Sequence, residues 1–140
     1  VPYREDAEQL RDTCAVRAQL EAHAVEIAAV RTPELGDRLL AVNDAMSTAI
    51  AQDETAEFVA INDEFHKAIV EAGQNPVLAT MWGQLEIRAR TAVNVSGHSG
   101  DLSEAISEHR AIATAVLESD PERASQLLQK HIKLTVEGRD

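Results

Sequence analysis

Apolar residues recur along this chain at spacings of three and four almost without interruption, and strict alternation of apolar and polar residues is absent. A period near 3.6 gathers such residues on one face of an α-helix, whereas a half-buried strand needs a period of two. The pattern therefore predicts an all-α fold. Composition agrees with it: Gly (6) and Pro (4) are scarce, aromatics make up 3 %, and the apolar 44 % is mostly Ala, Leu, Val and Ile. Alanine costs no side-chain entropy in a helix and lets neighbouring backbones approach. A length of 140 residues suits one domain with a real core.

Six helices are delimited by their punctuation. The first covers about residues 4–30, with Leu10, Cys14, Arg17, Leu20, Ala24 and Ile27 along one stripe. Thr32-Pro33 reads as an N-cap followed by proline at the first helical position, opening a helix with Leu35, Leu39, Val42, Met46 and Ala49 that stops near Ala51. Asp53 is expected to cap a third helix carrying Phe58, Ile61, Phe65 and Ile69, with Gly73 as its left-handed end. Asn75-Pro76 repeats the cap-plus-proline signal for a fourth, through Leu78, Leu85 and Ala92. Ser96-Gly97-His98-Ser99-Gly100 is the clear loop, and Asp101 or Ser103 is expected to cap the fifth helix. Asp120-Pro121 opens the sixth, with Leu127, Leu128, His131 and Leu134. The short connections predict antiparallel packing of consecutive helices in one bundle.

Charge narrows the function. With 24 acidic against 13 basic residues the formal net charge is -11, and no cluster of Lys and Arg exists to neutralise phosphates. The chain by itself is not a DNA-binding surface. No apolar run approaches the roughly 20 residues that span a bilayer, and no basic-then-apolar leader is visible, so no membrane partner is expected. A lone Cys14 offers no internal disulfide, which points to the cytoplasm. The chain starts at Val1 rather than methionine, which suggests processing or a fragment of something longer.

Three histidines share faces with apolar residues on three different helices: His66 with Phe58, Phe65 and Ile69; His109 with Leu102, Ile106, Ile112 and Val116; and His131 with Leu127, Leu128 and Leu134. Each buried imidazole needs partners for both nitrogens. Two readings follow from periodicity: three separately hydrogen-bonded core histidines, or a shared divalent cation held by neutral imidazoles. Asn62 lies one turn before His66 and can either coordinate beside it or hydrogen-bond to it, and Asp63 is a second candidate. Other metal chemistries lack their residues, because Glu-x-x-His and His-Glu-x-x-His are both absent. A mononuclear metal-dependent hydrolase or lyase is the alternative from another class. Against it, Glu64 and Glu108 are expected to lie off the inward faces, leaving no evident general base. Cys14 reads as a buried core thiol.

The ordered segments Val16-Arg17-Ala18-Gln19-Leu20-Glu21, Asn62-Asp63-Glu64-Phe65-His66, Gly73-Gln74-Asn75-Pro76, Glu108-His109-Arg110-Ala111-Ile112 and Lys130-His131-Ile132 resemble the FCD domain. That domain is the effector-binding C-terminal half of the FadR subfamily of GntR transcription regulators. The resemblance covers nearly the whole chain, residues 1–140, and implies an antiparallel bundle of six or seven helices enclosing a metal and ligand cavity. By motif position it implies a divalent metal, zinc first and nickel or manganese as alternatives, held by Asn62, His66, His109 and His131. It also implies a small carboxylate effector, a homodimer, no catalysis, and DNA binding only through an N-terminal winged helix-turn-helix that this chain lacks. Arg17, which matches the first-helix motif, and Arg88, on the apolar stripe of the fourth helix, are the candidate partners of the effector carboxylate. The alternative for Arg17 is an internal salt bridge to Glu21 one turn on, or a solvated face. Many relatives place Asp where this chain has Asn62. Three imidazoles and an amide leave a divalent charge uncompensated, so weak metal retention and an appetite for an anionic ligand are expected. His23 and His98 are expected at the surface, and Trp82 in packing or an interface.

Overall fold

Every regular element among the described residues is an α-helix. The computed structural model describes residues 2–85 and 102–138, with side chains from residue 7 onward. The helices are α1 (Pro2–Arg31), α2 (Leu35–Ala51), α3 (Thr55–Ala72), α4 (described over 76–85), α5 (Leu102–Leu117) and α6 (Pro121–Glu137). The expected loop at 96–100, together with Arg88, Ala92, His98 and Asp101, lies outside the described residues.

Two of the cap-plus-proline signals act as expected. Asn75 Oδ1 accepts from Leu78 N at 3.1 Å, and Asp120 Oδ1 accepts from Arg123 N at 3.2 Å with Pro121 at the helix start. In both, a short polar side chain satisfies an orphan amide of the first turn. Thr32-Pro33 does not cap α2. It forms a turn whose Thr32 and Pro33 carbonyls accept from Leu35 N (3.0 Å) and Gly36 N (3.1 Å), and α2 begins after Glu34 without a side-chain cap. Asp53 likewise sits in the α2–α3 turn at φ 57, one residue ahead of the N-cap Glu54. Ser103 lies inside α5 rather than before it.

Gly73 is right-handed at φ −71, and the left-handed residue is its neighbour Gln74 at φ 55. Glycine at 73 serves close approach instead. A Cβ there would stand 2.8 Å from Ala24 Cβ and 3.0 Å from Ala24 Cα, so its absence lets α3 lie against α1.

The pairs α2–α3 and α5–α6 are neighbours in sequence and in space, as short connections require. α1 and α2 barely touch; α1 packs instead on α6 and α3 and reaches α5. Being enclosed from several directions moves its buried face. Ala18, Ala22, Ala24, Val25, Ala28 and Ala29 are buried, while the expected stripe members Leu20 and Ile27 are only half-buried. Small side chains on α1 let three helices converge, and the polar residues they enclose form the site.

Candidate metal centre

The three amphipathic helices α3, α5 and α6 each turn one histidine inward. His66 is 2 %, His109 0 % and His131 4 % exposed. One ring nitrogen from each lies within 4.8 Å of the others. The rings touch directly: centroids are 5.6 Å apart for His66–His109, 5.4 Å for His66–His131 and 4.5 Å for His109–His131. Phe65 stacks on His109 at 4.2 Å and gives the cluster an apolar wall. The structure gathers the three histidines into one cluster that could hold a cation, and it also gives each of them a hydrogen bond within the core.

Two carboxylates hold the rings from behind. Glu21, on α1, accepts from His66 Nδ1 at 2.5 Å through Oε1. Its Oε2 accepts from Arg17 Nε at 2.6 Å and from Trp82 Nε1 at 2.9 Å, with the Arg17 guanidinium carbon 5.6 Å from the Trp82 ring centroid. Burial works to raise the pKa of Glu21, but the charges of His66 and Arg17 and the hydrogen bonds from His66 and Trp82 outweigh it and hold the group at about 2. Glu108 accepts from His131 Nδ1 at 2.6 Å across the α5–α6 interface. This corrects the expectation that Glu108 lies off the inward side, whereas Glu64 is exposed as expected.

These bonds fix the tautomers. Where the ring is neutral, a carboxylate accepting from Nδ1–H leaves the imidazole lone pair on Nε2. His131 Nε2 stands 3.0 Å from His109 Nε2, so one proton is shared between two lone-pair sites that face each other. A divalent cation, bound by imidazole nitrogens at about 2.0–2.1 Å, can take the place of that proton. The donor set therefore fits a metal: three buried imidazoles, two of them oriented by carboxylates on the remote nitrogen. The carboxylates also supply negative charge one ring away, which the expectation of an uncompensated divalent charge left out.

Asn62 is half-buried one turn before His66, and Asp63 beside it is also half-buried. Arg17 forms the salt bridge to Glu21 that was its structural alternative, and that carboxylate links it to His66. Trp82 is a buried hydrogen-bond donor, and His23 is exposed. Two grooves are elsewhere: one of about 540 Å³ between α1 and α6, lined by Cys14, Ile132 and Lys133 among others, and one of about 370 Å³ over the α3–α4 turn.

Glu21 was the functional residue least visible in the sequence. Its signal was the Arg17–Glu21 spacing together with the small residues spaced around it, Ala18, Ala22, Ala24 and Ala28. Such neighbours mark a helix face that others approach closely.

The FCD domain family model matches residues 12–134. The probable D-xylose utilization operon transcriptional repressor of Paenarthrobacter nicotinovorans is 28 % identical over 123 residues, 88 % of this chain and 54 % of the relative. The HTH-type transcriptional repressor NanR of Klebsiella aerogenes is 32 % identical over 84 residues, 58 % of this chain and 32 % of the relative. The chain thus spans about half or less of the length of these relatives. The solved metal-free FCD domain of TM0439 superposes with a TM-score of 0.76 at 17 % identity, covering 93 % of this chain and 90 % of that one. It shares the all-α architecture.

Proposed function

Because this chain belongs to the FCD-domain family, we propose that it is the effector-sensing domain of a GntR-type transcription regulator that binds a small organic acid at a divalent-metal site. The observation that carries the reading is the convergence of His66, His109 and His131 from three helices, with ring nitrogens within 4.8 Å. Asn62 completes the protein ligands. Zinc is the first choice, and nickel or manganese are accepted by the same imidazoles. The effector carboxylate takes an open position on the metal, with Arg17 and Arg88 as candidate partners for its remaining charge. Neutral Asn62 keeps the metal weaker than Asp would, so Asn62→Asp is expected to tighten it in a chelator competition.

Effector binding ties α3, α5 and α6 together and thereby biases how a homodimer presents its DNA-binding domains, a shift that requires the ligand to prefer one arrangement. The curated relatives are repressors, which supports a DNA-binding whole protein in the cytoplasm. No described helix is long and apolar enough to cross a membrane. A non-enzymatic role fits the carboxylates: Glu21 and Glu108 are both engaged on Nδ1, the side of each ring away from Nε2.

The test is metal content by elemental mass spectrometry on untagged protein, followed by thermal-shift screening of organic acids. About one equivalent per chain, lost in His66→Ala, and stabilisation by a carboxylate without turnover are expected. Absence of metal after incubation with zinc, nickel and manganese would overturn the metal site, and turnover of an acid would establish the enzyme instead.

A further inference from the structure

In a chain whose net charge is -11, three of the 13 basic residues line one groove. This is the cleft of about 540 Å³ between α1 and α6, and none of the three clustered histidines borders it. Its walls run from Arg11 to Gln19 on α1 and from Gln129 to Glu137 on α6. Gln19 Nε2 donates to Gln129 Oε1 at 3.3 Å at one end, so the two helices pass antiparallel along the groove. Each wall rises about 12 Å at 1.5 Å per residue. On α6 the lining positions centre on the side roughly 180° from His131, at about 100° per residue, so the groove faces away from the imidazoles.

Floor and rim differ in chemistry. Cys14, Ala18 and Ile132 are buried and Val136 is half-buried, so the floor is apolar. The small side chains of Ala15 and Ala18 leave room beside α6 that larger residues would fill. The rim carries Arg11, Lys130 and Lys133, all exposed, and no ion pair holds any of them among the described residues. Glu137 is the single acid of the lining and can offset only one of the three. Lys130 and Lys133 are three residues apart on α6, so their ammonium groups flank one stretch of the floor.

We propose that the α1–α6 groove is a second binding site, for a medium-chain carboxylate whose hydrocarbon chain lies on the Cys14–Ile132 floor and whose head group sits between Lys130 and Lys133. The site is independent of the metal reading above, because the head group is held by ammonium groups rather than through a cation. Its size suits a small molecule, for which clefts of about 300–1,000 Å³ are usual. A partner helix, about 10–12 Å across with its side chains, would rest on the rim and leave the floor wet. A straight hydrocarbon chain reaches that floor and removes apolar surface from water along its length.

The experiment is isothermal titration calorimetry with octanoate on chelator-treated and on zinc-loaded protein. About one equivalent per chain is expected to bind in both states, at least about tenfold more tightly than butyrate, since the added methylenes cover the floor. Octylammonium, with the same chain and the opposite charge, is expected to be weaker by at least about tenfold as well. Combining Lys130→Glu with Lys133→Glu, both on the exposed rim, weakens octanoate by a similar factor. Octanoate also slows alkylation of Cys14, the chain's one thiol, by iodoacetamide at about pH 9, where the thiolate is more populated, and butyrate at the same concentration does not. Binding that requires zinc puts octanoate at the imidazoles, which overturns the inference and supports the metal reading. No binding, equal affinity for butyrate, or undiminished affinity in the doubly substituted protein overturns it and leaves the metal reading untouched. A change of oligomeric state in that variant, read by sedimentation, marks the groove as an interface between chains and overturns it too. Should the variant not fold, Cys14 in the unsubstituted protein decides: protection by octanoate supports the inference, and unchanged alkylation overturns it.

Discussion

His66 and His131 are each backed by a glutamate at nearly the same distance, 2.5 and 2.6 Å, yet the two glutamates live in different surroundings. Glu21 is fully enclosed and shares its second oxygen between Arg17 and Trp82, so three groups, from α1, α3 and α4, depend on one carboxylate. The Glu108 side chain is 22 % exposed and lies on the same helix as His109. One orienting partner is built into the core, and the other is attached at its edge. The same local chemistry thus carries different structural weight, because removing a partner from a buried pair strands the charge left behind, whereas water can reach an edge.

The largest expected effect follows from that asymmetry. Glu21→Ala leaves Arg17 and the indole N–H of Trp82 without their acceptor, and a loss of about 3 kcal/mol is expected. For a chain of this size that lowers the melting temperature by about 10 °C, measured by circular dichroism. Next comes Gly73→Ala, where the new methyl group meets Ala24, three residues along α1 from Glu21. Both contacts are with α1 atoms that cannot swing aside, so α3 must back away at a cost of about 1–3 kcal/mol. Because the displacement is on the α1–α3 side, it should loosen the Glu21–His66 pair and leave Glu108–His131 intact. Gly83, which has nothing within 4 Å of its missing Cβ, is the control, and alanine there should be neutral or mildly stabilising.

Glu108→Gln is the converse experiment. Stability should change by less than about 1 kcal/mol, since the site is partly solvated, while zinc affinity in a chelator competition should fall by about tenfold or more. The comparison breaks if Glu108→Gln melts as early as Glu21→Ala. It also breaks if zinc affinity is untouched, which would make the carboxylate a passenger.

What the sequence shows of this site divides along the same line. The inward turn of His66, His109 and His131 is legible because α3, α5 and α6 each face one core, so a 3.6-residue period alone decides which side chains enter it. The caps at Asn75 and Asp120 are legible because they involve only the next three residues. Glu21 is not legible in that way. A glutamate inside an alanine-rich helix reads as solvated, and its burial comes from α6, α3 and α5 converging on α1, an arrangement no local window contains. Glu108 failed differently: it lies about 100° from His109 around α5, and only the approach of α6 gives its side chain something to reach. Gly73 shows the same limit, its glycine answering to Ala24 on another helix rather than to its own backbone angle.

The smallest expected effect reads the electrostatics of the buried side alone. Cys14 is 7 % exposed, and burial raises its thiol pKa, with Arg17 lowering it and Glu21 adding to the rise. The thiol should alkylate slowly at neutral pH, since only the thiolate reacts. Replacing Glu21 by Gln removes a negative charge that disfavours the thiolate and releases Arg17 from its partner, and both changes stabilise the thiolate. The pH–rate profile for iodoacetamide should therefore move to lower pH in Glu21→Gln. In Glu108→Gln it should stay where it is, because Glu108 is not among the groups that set the Cys14 thiol. Equal movement in both variants would mean that the two carboxylates act on α1 through the net charge of the domain rather than through their separate surroundings, and the contrast between core and edge would lose its electrostatic half.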